Sequence, residues 1–410
     1  MRRHLLAAFI LIPAAGFLVA NAGFFSSSLP AAANVALAPP AARACDSRCA
    51  ADWMDTNLRL DQMQVVGTGE SYKQRPSSAL MRLILMGGGK KDVEALDYGQ
   101  PAITAQLDGD VRALSFDVAY DPNGGLFKNP VAASMAMELL ADKYVTEMRR
   151  PGFKAIHVLD VDYNSSCLAL SDCLKQVSDW SRTHPRHLPI IITLRTNDIR
   201  TPMPGATKPL ACDAAALGAL DGEICAAFTA DQIITPDSVQ AGYPTLREAV
   251  LAHNWPLLEA SRGKVAVVLD DSPAKIRAYQ GTRKSLEGRA LFVASDETSP
   301  VGAFLSLPDP QKDGARIARA VQAGFMVITR ADAQTREARE NRNQRRDAAF
   351  SSGAQIVQTN FAVPDPAIGP YRVSLADNLE AMCGERLAPE RCVRFQEVTL
   401  PVRATATALP

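Results

Sequence analysis

The sequence lacks an excess of charge of either sign, and it is poor in aromatic residues. Lysine and arginine together number 44, as do aspartate and glutamate, so the formal net charge is +0. Phe, Trp and Tyr make up only 6% of the chain. Proteins that bind nucleic acid usually present a basic surface and aromatic stacking positions. The composition therefore argues against a nucleic-acid partner.

Glycine and proline are also too scarce for a fibrous or disordered chain. They number 25 and 27 among 410 residues. Hydrophobic residues make up 47% of the sequence, which is enough to form a large core. The composition indicates a globular protein of one large or two medium domains.

The cysteines lack the Cys-x-x-Cys spacing of zinc sites, and no His-x-x-x-His pair accompanies them. The eight cysteines instead lie as four pairs of near neighbours: Cys45 with Cys49, Cys167 with Cys173, Cys212 with Cys225, and Cys383 with Cys392. In an exported protein an even number of cysteines in local pairs predicts short disulfide loops, although many other connectivities are possible.

The N-terminus carries an export signal. Two arginines precede an apolar run over residues 5–20, and Ala20 to Ala22 provide a small-residue cleavage site. This pattern predicts a signal peptide over residues 1–22 and a secreted or periplasmic protein. An uncleaved membrane anchor is the alternative, because the run is nearly long enough to span a bilayer. Pro13 and Gly16 interrupt the run and favour cleavage.

Eight β-rich apolar runs alternate with helix-like segments in the rest of the chain. The predicted strands are Gln64–Gly69, Ala113–Tyr120, Ala155–Asp162, Pro189–Thr196, Lys264–Asp271, Ala290–Asp296, Phe325–Asp332 and Gln355–Phe361. Nearly continuous apolar runs are typical of parallel strands that are buried on both faces. We therefore predict an α/β fold with a single (β/α)8 TIM barrel over residues 45–375. An Ala/Pro-rich flexible leader (23–44) precedes it, and a disulfide-bearing extension (376–410) follows.

Functional groups of such barrels project from the C-terminal ends of the strands. The ends of the first four predicted strands bring Glu70, Asp117, His157 and Arg195 into one expected charged cluster. Arg330, at the end of the seventh predicted strand, is placed to bind an anionic head group or to pair with Asp296 or Asp332.

Four segments carry a resemblance to a known family. They contain the sequences "VVGTGESYK", "ALSFDVAY", "PGFKAIHVLDVDY" and "GFMVITRADAQ", and the similarity extends from Leu58 to Tyr371 in the same order. The chain resembles the secreted, calcium-dependent phosphatidylinositol-specific phospholipases C of bacteria. The resemblance implies a barrel of the PLC-like phosphodiesterase type, with an inositol phospholipid or other glycerophosphodiester as substrate and calcium as cofactor.

The first family motif, G-T-H-N-S-Y-H, is altered in this chain. Gly69 stands where the family has a catalytic histidine, and Glu70 stands where it has a calcium-binding asparagine. Lys73 replaces the last histidine of the motif. The resemblance therefore implies that one proton-transfer group is missing.

The remaining family positions are partly kept. Asp117 retains a calcium ligand and His157 retains the second catalytic histidine, whereas Ser115 and Arg195 replace two calcium-binding glutamates. Calcium prefers six to eight oxygen ligands, and a guanidinium group repels it. We therefore expect no calcium at this site.

Two hypotheses remain for function. In one, His157 and Glu70 transfer protons while Arg195, Arg330 and Lys73 hold the phosphate, so that a phosphodiester is cleaved without metal. In the other, the protein is a catalytically inactive pseudoenzyme that binds a phosphorylated head group or a protein partner in the cell envelope.

A transient contact with a membrane surface is also expected. The loop "DPNGGLFKNP" places Leu126 and Phe127 where they could insert into lipid.

Overall fold

The computed structural model describes residues 47–375 and 380–384, which all belong to one compact unit of the chain. The predicted signal peptide, the leader and most of the C-terminal extension lie outside these residues. No helix within the described ranges is long and apolar enough to cross a membrane.

Eight parallel strands form the barrel predicted from the sequence. The ten strands are β1 Met63–Thr68, β2 Ala113–Ala119, β3 Lys154–Ala155, β4 Ile190–Thr196, β5 Val265–Leu269, β6 Phe292–Val293, β7 Phe304–Ser306, β8 Met326–Arg330, β9 Ile356–Thr359 and β10 Met382–Cys383. The parallel strands follow the order β6-β5-β4-β2-β1-β9-β8-β7. A parallel bridge between Ala294 and Phe304 joins the two ends of this order.

The predicted third strand, Ala155–Asp162, is wrong. β2 pairs directly with β4, so the barrel has no place for another strand between them. Only Lys154 and Ala155 are extended, and they pair antiparallel with the end of β2. The apolar residues that follow, including Ile156 and Leu159, are buried in a separate cluster outside the barrel. The strand that completes the eight-stranded barrel is β7, which spans only three residues and is not predicted by the sequence pattern.

Helices fill the connections between strands. They are α1 Ser47–Asn57, α2 Ser78–Gly87, α3 Lys90–Leu96, α4 Ile103–Asp108, α5 Val131–Met135, α6 Asp142–Met148, α7 Leu170–Thr183, α8 Ala214–Ala227, α9 Pro236–Gln240, α10 Leu246–Leu251, α11 Leu258–Ser261, α12 Pro273–Gln280, α13 Pro310–Gln322, α14 Arg336–Arg339 and α15 Gln344–Ser351, with a 3-10 turn at Leu60–Gln62. The capping aspartates Asp213 and Asp309 accept hydrogen bonds from backbone N–H groups in the first turns of α8 and α13.

Three apolar clusters are buried among the described residues, of which the main core and a satellite cluster are the largest. The main core joins the barrel strands to the surrounding helices. A satellite cluster lies beyond the C-terminal end of β2, where Leu80 of α2 packs with Ala132 and Ala133 of α5 and with Ile156 and Tyr163. The satellite cluster therefore supports the loops that carry the candidate site.

The expected membrane contact of the loop "DPNGGLFKNP" does not fit its structure. Phe127 is only 3% exposed and belongs to the satellite cluster, and Leu126 packs against the same cluster. The apolar surface of Phe127 is used in internal packing, and that of Leu126 is partly covered by the same cluster.

The disulfide pattern is confirmed in one local pair and wrong in another. Cys167 and Cys173 form a disulfide, with 5.2 Å between their Cα atoms. Cys212 and Cys225 are free, because they lie at opposite ends of α8. A helix rises about 1.5 Å per residue, which places them far beyond disulfide reach. Cys383 is disulfide-bonded, whereas the proposed pair of Cys45 and Cys49 lies outside the described side chains.

Candidate active site

A turn after β3 brings His157 to the barrel mouth, which is the opening at the C-terminal ends of the barrel strands. The N–H of Ile156 donates to the carbonyl of Asp117 at 3.1 Å, and Asn197 donates to the carbonyls of both Ile156 and His157. The chain then reverses, with Asp160 at a positive φ of 64° and Asp162 donating its N–H to the carbonyl of Val158. This reversal returns Asp162 to the side of His157.

His157 and Asp162 form a hydrogen-bonded pair. Nδ1 of His157 lies 2.8 Å from Oδ2 of Asp162, whose side chain is fully buried. Burial alone lowers the pKa of His157, but the hydrogen bond to Asp162 and the charges of Glu70 and Asp117 raise it above its ordinary value. The surroundings of His157 therefore favour the protonated imidazole over the neutral one.

Lys73 lies behind this pair instead of facing the mouth. Its fully buried ammonium lies 3.3 Å from Oδ2 of Asp162 and donates to the carbonyls of Leu96 and Tyr98. The structure therefore gives Lys73 a contact with Asp162 and no exposed face toward a ligand.

Glu70 and Asp117 meet His157 at the mouth. One ligand atom from each of the three side chains lies within 4.8 Å of the others. Glu70 adopts a positive φ of 42°, which is uncommon for a residue other than glycine. Strain of this kind is often found at functional sites. The structure thus brings together three of the four residues of the charged cluster predicted from the sequence.

The first wall of the mouth, formed at the ends of β1, β8 and β9, holds Glu70, Arg330 and Asn360. Nη1 of Arg330 lies 3.6 Å from Oε1 of Glu70, and Nη2 donates to Oδ1 of Asn360 at 2.9 Å. The Tyr98 hydroxyl donates to Oε2 of Glu70 at 2.8 Å. Arg330 thus pairs with Glu70, rather than with Asp296 or Asp332, the alternatives suggested by the sequence.

Arg330 also fills the space beside Gly69. A Cβ atom at position 69 would lie 2.8 Å from Oδ1 of Asn360 and 2.9 Å from Nη2 of Arg330. Any larger side chain at this position would have to displace the guanidinium. Nε of Arg330 has no hydrogen-bond partner among the described residues, so the group retains donor capacity.

The second wall, formed at the ends of β2, β4 and β5, holds Asp117, Arg195 and Asp270. Asp117 and Arg195 are paired in the register of β2 and β4. Nη2 of Arg195 nevertheless donates to Oδ2 of Asp270 at 2.9 Å, and its side chain is 55% exposed. Oδ2 of Asp117 accepts from the Tyr72 hydroxyl at 3.2 Å. The sequence predicted Arg195 in one charged cluster with Glu70 and Asp117, whereas the structure places its ion pair with Asp270.

The two clustered carboxylates have opposite pKa shifts. Burial raises the pKa of Glu70, but Arg330, His157, the Tyr98 hydroxyl and Arg195 together lower it to about 2. Burial and the nearby charge of Glu70 raise the pKa of Asp117 to about 6. Glu70 therefore remains ionised at neutral pH, whereas Asp117 can exchange a proton close to neutral pH.

The cluster contains metal-ligating groups, but its surroundings are cationic. Two carboxylates and one imidazole converge, and Arg330 approaches Glu70 to 3.6 Å. Calcium is usually held by six to eight oxygens. Ser115, at the remaining ligand position, uses its backbone N–H and carbonyl in hydrogen bonds with Ser71.

Sequence reasoning missed three supporting side chains. Tyr72, Tyr98 and Asp162 bind Asp117, Glu70 and His157, respectively. Asp162 was noticed only as the end of a predicted strand. No sequence pattern points to the two tyrosines, because their hydroxyls bind carboxylates that lie 28 and 45 positions away in the chain.

Two solved structures are among those similar to this chain. A calcium-dependent phosphoinositol-specific phospholipase C from a Pseudomonas species is 15% identical, with 78% of this chain and 95% of that chain covered and a TM-score of 0.48. A Ca²⁺-dependent phosphatidylinositol-specific phospholipase C from Streptomyces antibioticus is 15% identical over 75% of this chain and 96% of that chain, with a TM-score of 0.46. No curated protein matches the chain.

The family model described as phosphoinositide phospholipase C, Ca²⁺-dependent, matches residues 58–384. This range covers nearly all the described residues and includes both walls of the mouth. The chain therefore belongs to the Ca²⁺-dependent phosphoinositide phospholipase C family.

Proposed function

We propose that this protein binds a phosphodiester at the barrel mouth and cleaves it without calcium. The observation that carries the proposal is the convergence of Glu70, Asp117 and His157 within 4.8 Å, with a guanidinium group on each wall. Family membership supports an inositol phospholipid or related glycerophosphodiester as the substrate class.

The proposed reaction is an attack of the inositol 2-hydroxyl on phosphorus. A bond forms between the hydroxyl oxygen and phosphorus while the bond from phosphorus to the glycerol oxygen breaks. The hydroxyl proton must go to a base, and the glycerol oxygen must receive a proton from an acid. The products are a cyclic inositol phosphate and the free glycerol-linked alcohol.

His157 is the proposed acid. Asp162 occupies Nδ1, so Nε2 is the ring nitrogen left to exchange a proton. The raised pKa favours the protonated imidazole, which can donate to the leaving oxygen. Lys73 supports this role indirectly, because its ammonium contacts Asp162.

Asp117 is better suited than Glu70 to be the base. A base works best when its pKa lies near the working pH. The pKa of Asp117 is about 6, whereas that of Glu70 is about 2. We therefore assign Glu70 the role of a fixed anion that raises the pKa of Asp117 and His157.

The two arginines are the proposed phosphate ligands. A guanidinium has five N–H donors in a planar fork that suits phosphate oxygens. Arg330 uses one nitrogen for Asn360, and Arg195 uses one for Asp270, so both keep free donors. These fixed positive charges supply at the phosphate what the family obtains from a dication.

Calcium does not fit the residues present. Glu70 is already balanced by Arg330 and hydrogen-bonded to Tyr98, and Asp117 is hydrogen-bonded to Tyr72. Two carboxylates fall well short of the oxygen ligands that calcium requires. We therefore propose no step that involves the metal.

Binding of a phosphorylated ligand without turnover is the second candidate. Gly69 has no group that could transfer a proton. The ion pair between Glu70 and Arg330 also neutralises part of the charge at the mouth before any ligand binds. This arrangement favours a pseudoenzyme that keeps the head-group pocket.

The proposed export is supported by the Cys167–Cys173 disulfide. Such bonds persist mainly in oxidising compartments. A secreted or periplasmic location remains a proposal that cell fractionation would test.

The deciding experiment is a turnover assay of the purified protein on phosphatidylinositol, with calcium and with a chelator. His253→Ala is a matched control, because His253 also pairs with an aspartate, Asp61, at 3.4 Å but does so away from the cluster. We expect turnover in the chelator that is retained by His253→Ala and lost in His157→Ala. Absence of turnover together with binding of inositol phosphate in calorimetry would favour the second candidate, and turnover only with calcium would contradict the proposed mechanism.

A further inference from the structure

The described chain contains a cavity that is separate from the barrel mouth. It lies between α6, the start of α7 and the segment 163–168, and its volume is about 460 Å³. Pockets that hold small molecules measure roughly 300–1,000 Å³. None of the five charged residues discussed at the mouth lines this cavity, namely Glu70, Asp117, His157, Arg195 and Arg330. We call it the side cavity.

Two buried hydroxyl groups at the side cavity lack a hydrogen-bond partner. Tyr163 is only 1% exposed, and its hydroxyl has no partner among the described residues. Oγ of Ser166 is also buried, and it has no partner among those residues either. Both side chains belong to the lining of the cavity. Buried polar groups of folded proteins nearly always have a partner, so these two hydroxyls indicate a ligand that the chain itself does not provide.

A carboxylate lies close to the Tyr163 hydroxyl. Burial and the nearby carboxylate of Glu138 raise the pKa of Tyr163. No hydrogen bond of normal geometry joins these two side chains, and Oε2 of Glu138 accepts instead from the Ser77 hydroxyl at 2.7 Å. Glu138 also lines the side cavity. A ligand hydroxyl that reaches both groups can accept from Tyr163 and donate to Glu138.

The segment that carries the two hydroxyls is held in place by the rest of the chain. The N–H of Ser166 donates to the carbonyl of Tyr72 at 2.8 Å, and the Ser165 hydroxyl donates to the carbonyl of Cys167 at 2.8 Å. A disulfide joins Cys167 to Cys173 in α7. A site that is fixed before its ligand arrives loses little conformational entropy on binding. The side cavity is therefore organised for a ligand in advance.

The charges around the side cavity favour a neutral ligand. Two of its acidic residues, Glu147 and Asp172, both pair with Arg150, which offsets part of their charge. The other charged side chains of the lining are Glu138 and Lys143, one of each sign. A carboxylate only accepts hydrogen bonds and an ammonium only donates them, whereas a hydroxyl group does both. A ligand with several hydroxyl groups and no charge therefore suits this lining.

We propose that the side cavity binds one neutral monosaccharide unit. The hydroxyl groups of the sugar supply partners for the buried oxygens of Tyr163 and Ser166. The amides of Gln74 and Gln176 add further donors and acceptors, and Leu140 adds apolar surface against which the C–H groups of a sugar ring can pack. Because the charged residues of the mouth do not line the side cavity, a sugar can occupy it while a phosphodiester occupies the mouth.

The test is saturation-transfer NMR of the purified full chain with glucose, mannose, galactose and N-acetylglucosamine. At least one of these sugars is expected to bind with a millimolar dissociation constant, in keeping with a ligand of about a dozen heavy atoms. Tyr163→Phe is expected to weaken that binding at least about fivefold, because it removes only the hydroxyl. Thermal unfolding of this variant without sugar should not move to lower temperature, since the hydroxyl has no partner to lose.

Tyr144→Phe is the matched control at the same cavity. Tyr144 also lines it, and its ring lies edge-on to that of Tyr163, with 5.7 Å between the ring centroids. The Tyr144 hydroxyl, however, already donates to the carbonyl of Phe127 at 3.0 Å. This variant is therefore expected to unfold at a lower temperature but to keep its affinity for the sugar within about twofold.

Several results would overturn the inference. They are absence of binding by all four sugars, equal binding by Tyr163→Phe and the unmodified protein, and a lower unfolding temperature of Tyr163→Phe, which would show that its hydroxyl has a partner within the chain. Loss of sugar binding in Asp117→Asn but not in Tyr163→Phe would place the sugar at the mouth instead. These experiments measure no turnover, so their outcome does not depend on the proposed function.

Discussion

The two walls of the barrel mouth contain the same kinds of side chain but pair them differently. In the first wall, Arg330 lies against Glu70 and is held by Asn360. In the second wall, Arg195 turns away from Asp117, its neighbour in strand register, and binds Asp270. Asp117 is left with the Tyr72 hydroxyl as a hydrogen-bond donor.

This difference separates the pKa values of two carboxylates that are both buried. Glu70, with a close guanidinium, falls to a pKa of about 2, and Asp117, without one, rises to about 6. Desolvation acts in the same direction on both groups, so the charged partner decides the outcome. Two carboxyl groups whose pKa values differ in this way can take different roles in a reaction, as acid, base or fixed charge.

The largest expected effect concerns turnover in the second wall. Asp117→Asn is expected to lower kcat by about 100- to 10,000-fold, because it removes the proposed base. Glu70→Gln, the matched change in the first wall, is expected to lower kcat much less and to move the acidic limb of the pH–rate profile to lower pH. That shift follows because the Glu70 charge raises the pKa of Asp117. Equal losses in the two variants would refute the division of roles.

Stability should respond more strongly in the first wall. Arg330→Met leaves the buried Glu70 without its cation and is expected to lower the free energy of unfolding by about 3 kcal/mol. Arg195→Met is expected to cost no more than about 1 kcal/mol, because that side chain is 55% exposed. Urea denaturation of both variants measures the difference, and a greater loss in Arg195→Met would reverse our comparison of the walls.

The pH dependence of stability should also differ in sign. Asp117 binds its proton more tightly when folded, so its contribution stabilises the fold at low pH and is lost as pH rises from about 4 through about 6. Relative to Asp117→Asn, the unmodified protein should lose on the order of 2 kcal/mol across this window. The Glu70 contribution runs the other way, being present above its ordinary pKa of 4.5 and lost as pH falls toward 2. Denaturation curves at several pH values test both signs, and parallel curves would count against the opposed pKa shifts.

The smallest effect concerns the space beside Gly69. Gly69→Ala should cost about 1 kcal/mol, because the new Cβ lies within 3 Å of Nη2 of Arg330 and Oδ1 of Asn360. Part of that cost should disappear in the Arg330→Met background. Gly218→Ala in α8 is the control, since its Cβ meets nothing within 4 Å and helix propensity predicts a small gain. An unchanged cost in both backgrounds would show that Arg330 does not occupy that space in solution.

Much of the fold could be predicted from local sequence, and parts of it could not. Runs such as that of β5, in which every residue is buried, identify barrel strands directly. The segment Ala155–Asp162 has a similar apolar character, but its Ile156 and Leu159 are buried in the satellite cluster and not in a barrel strand. The β7 strand is only three residues long, too short to produce a clear pattern. Burial alone thus could not distinguish a barrel strand from an apolar turn.

The sequence predicted which residues form the candidate site better than it predicted the contacts between them. Glu70, Asp117 and His157 converge because the C-terminal ends of β1 and β2 meet and the turn after β3 folds back on β2. Lys73 was expected near substrate, and it is buried behind Asp162. A lysine at a loop position looks exposed in sequence, and its burial is explained by the carbonyls of Leu96 and Tyr98 together with the Asp162 carboxylate.

The sequence by itself determined the barrel class, the family and the identity of the residues at the strand ends, because hydrophobic periodicity and motif order are local properties of the chain. Only the tertiary structure decided that Arg330 lies beside Gly69, that Arg195 pairs with Asp270, and that two neighbouring carboxylates differ in pKa. Electrostatic pairing depends on distances of a few ångströms between side chains, and those distances are set by packing among residues far apart in the chain.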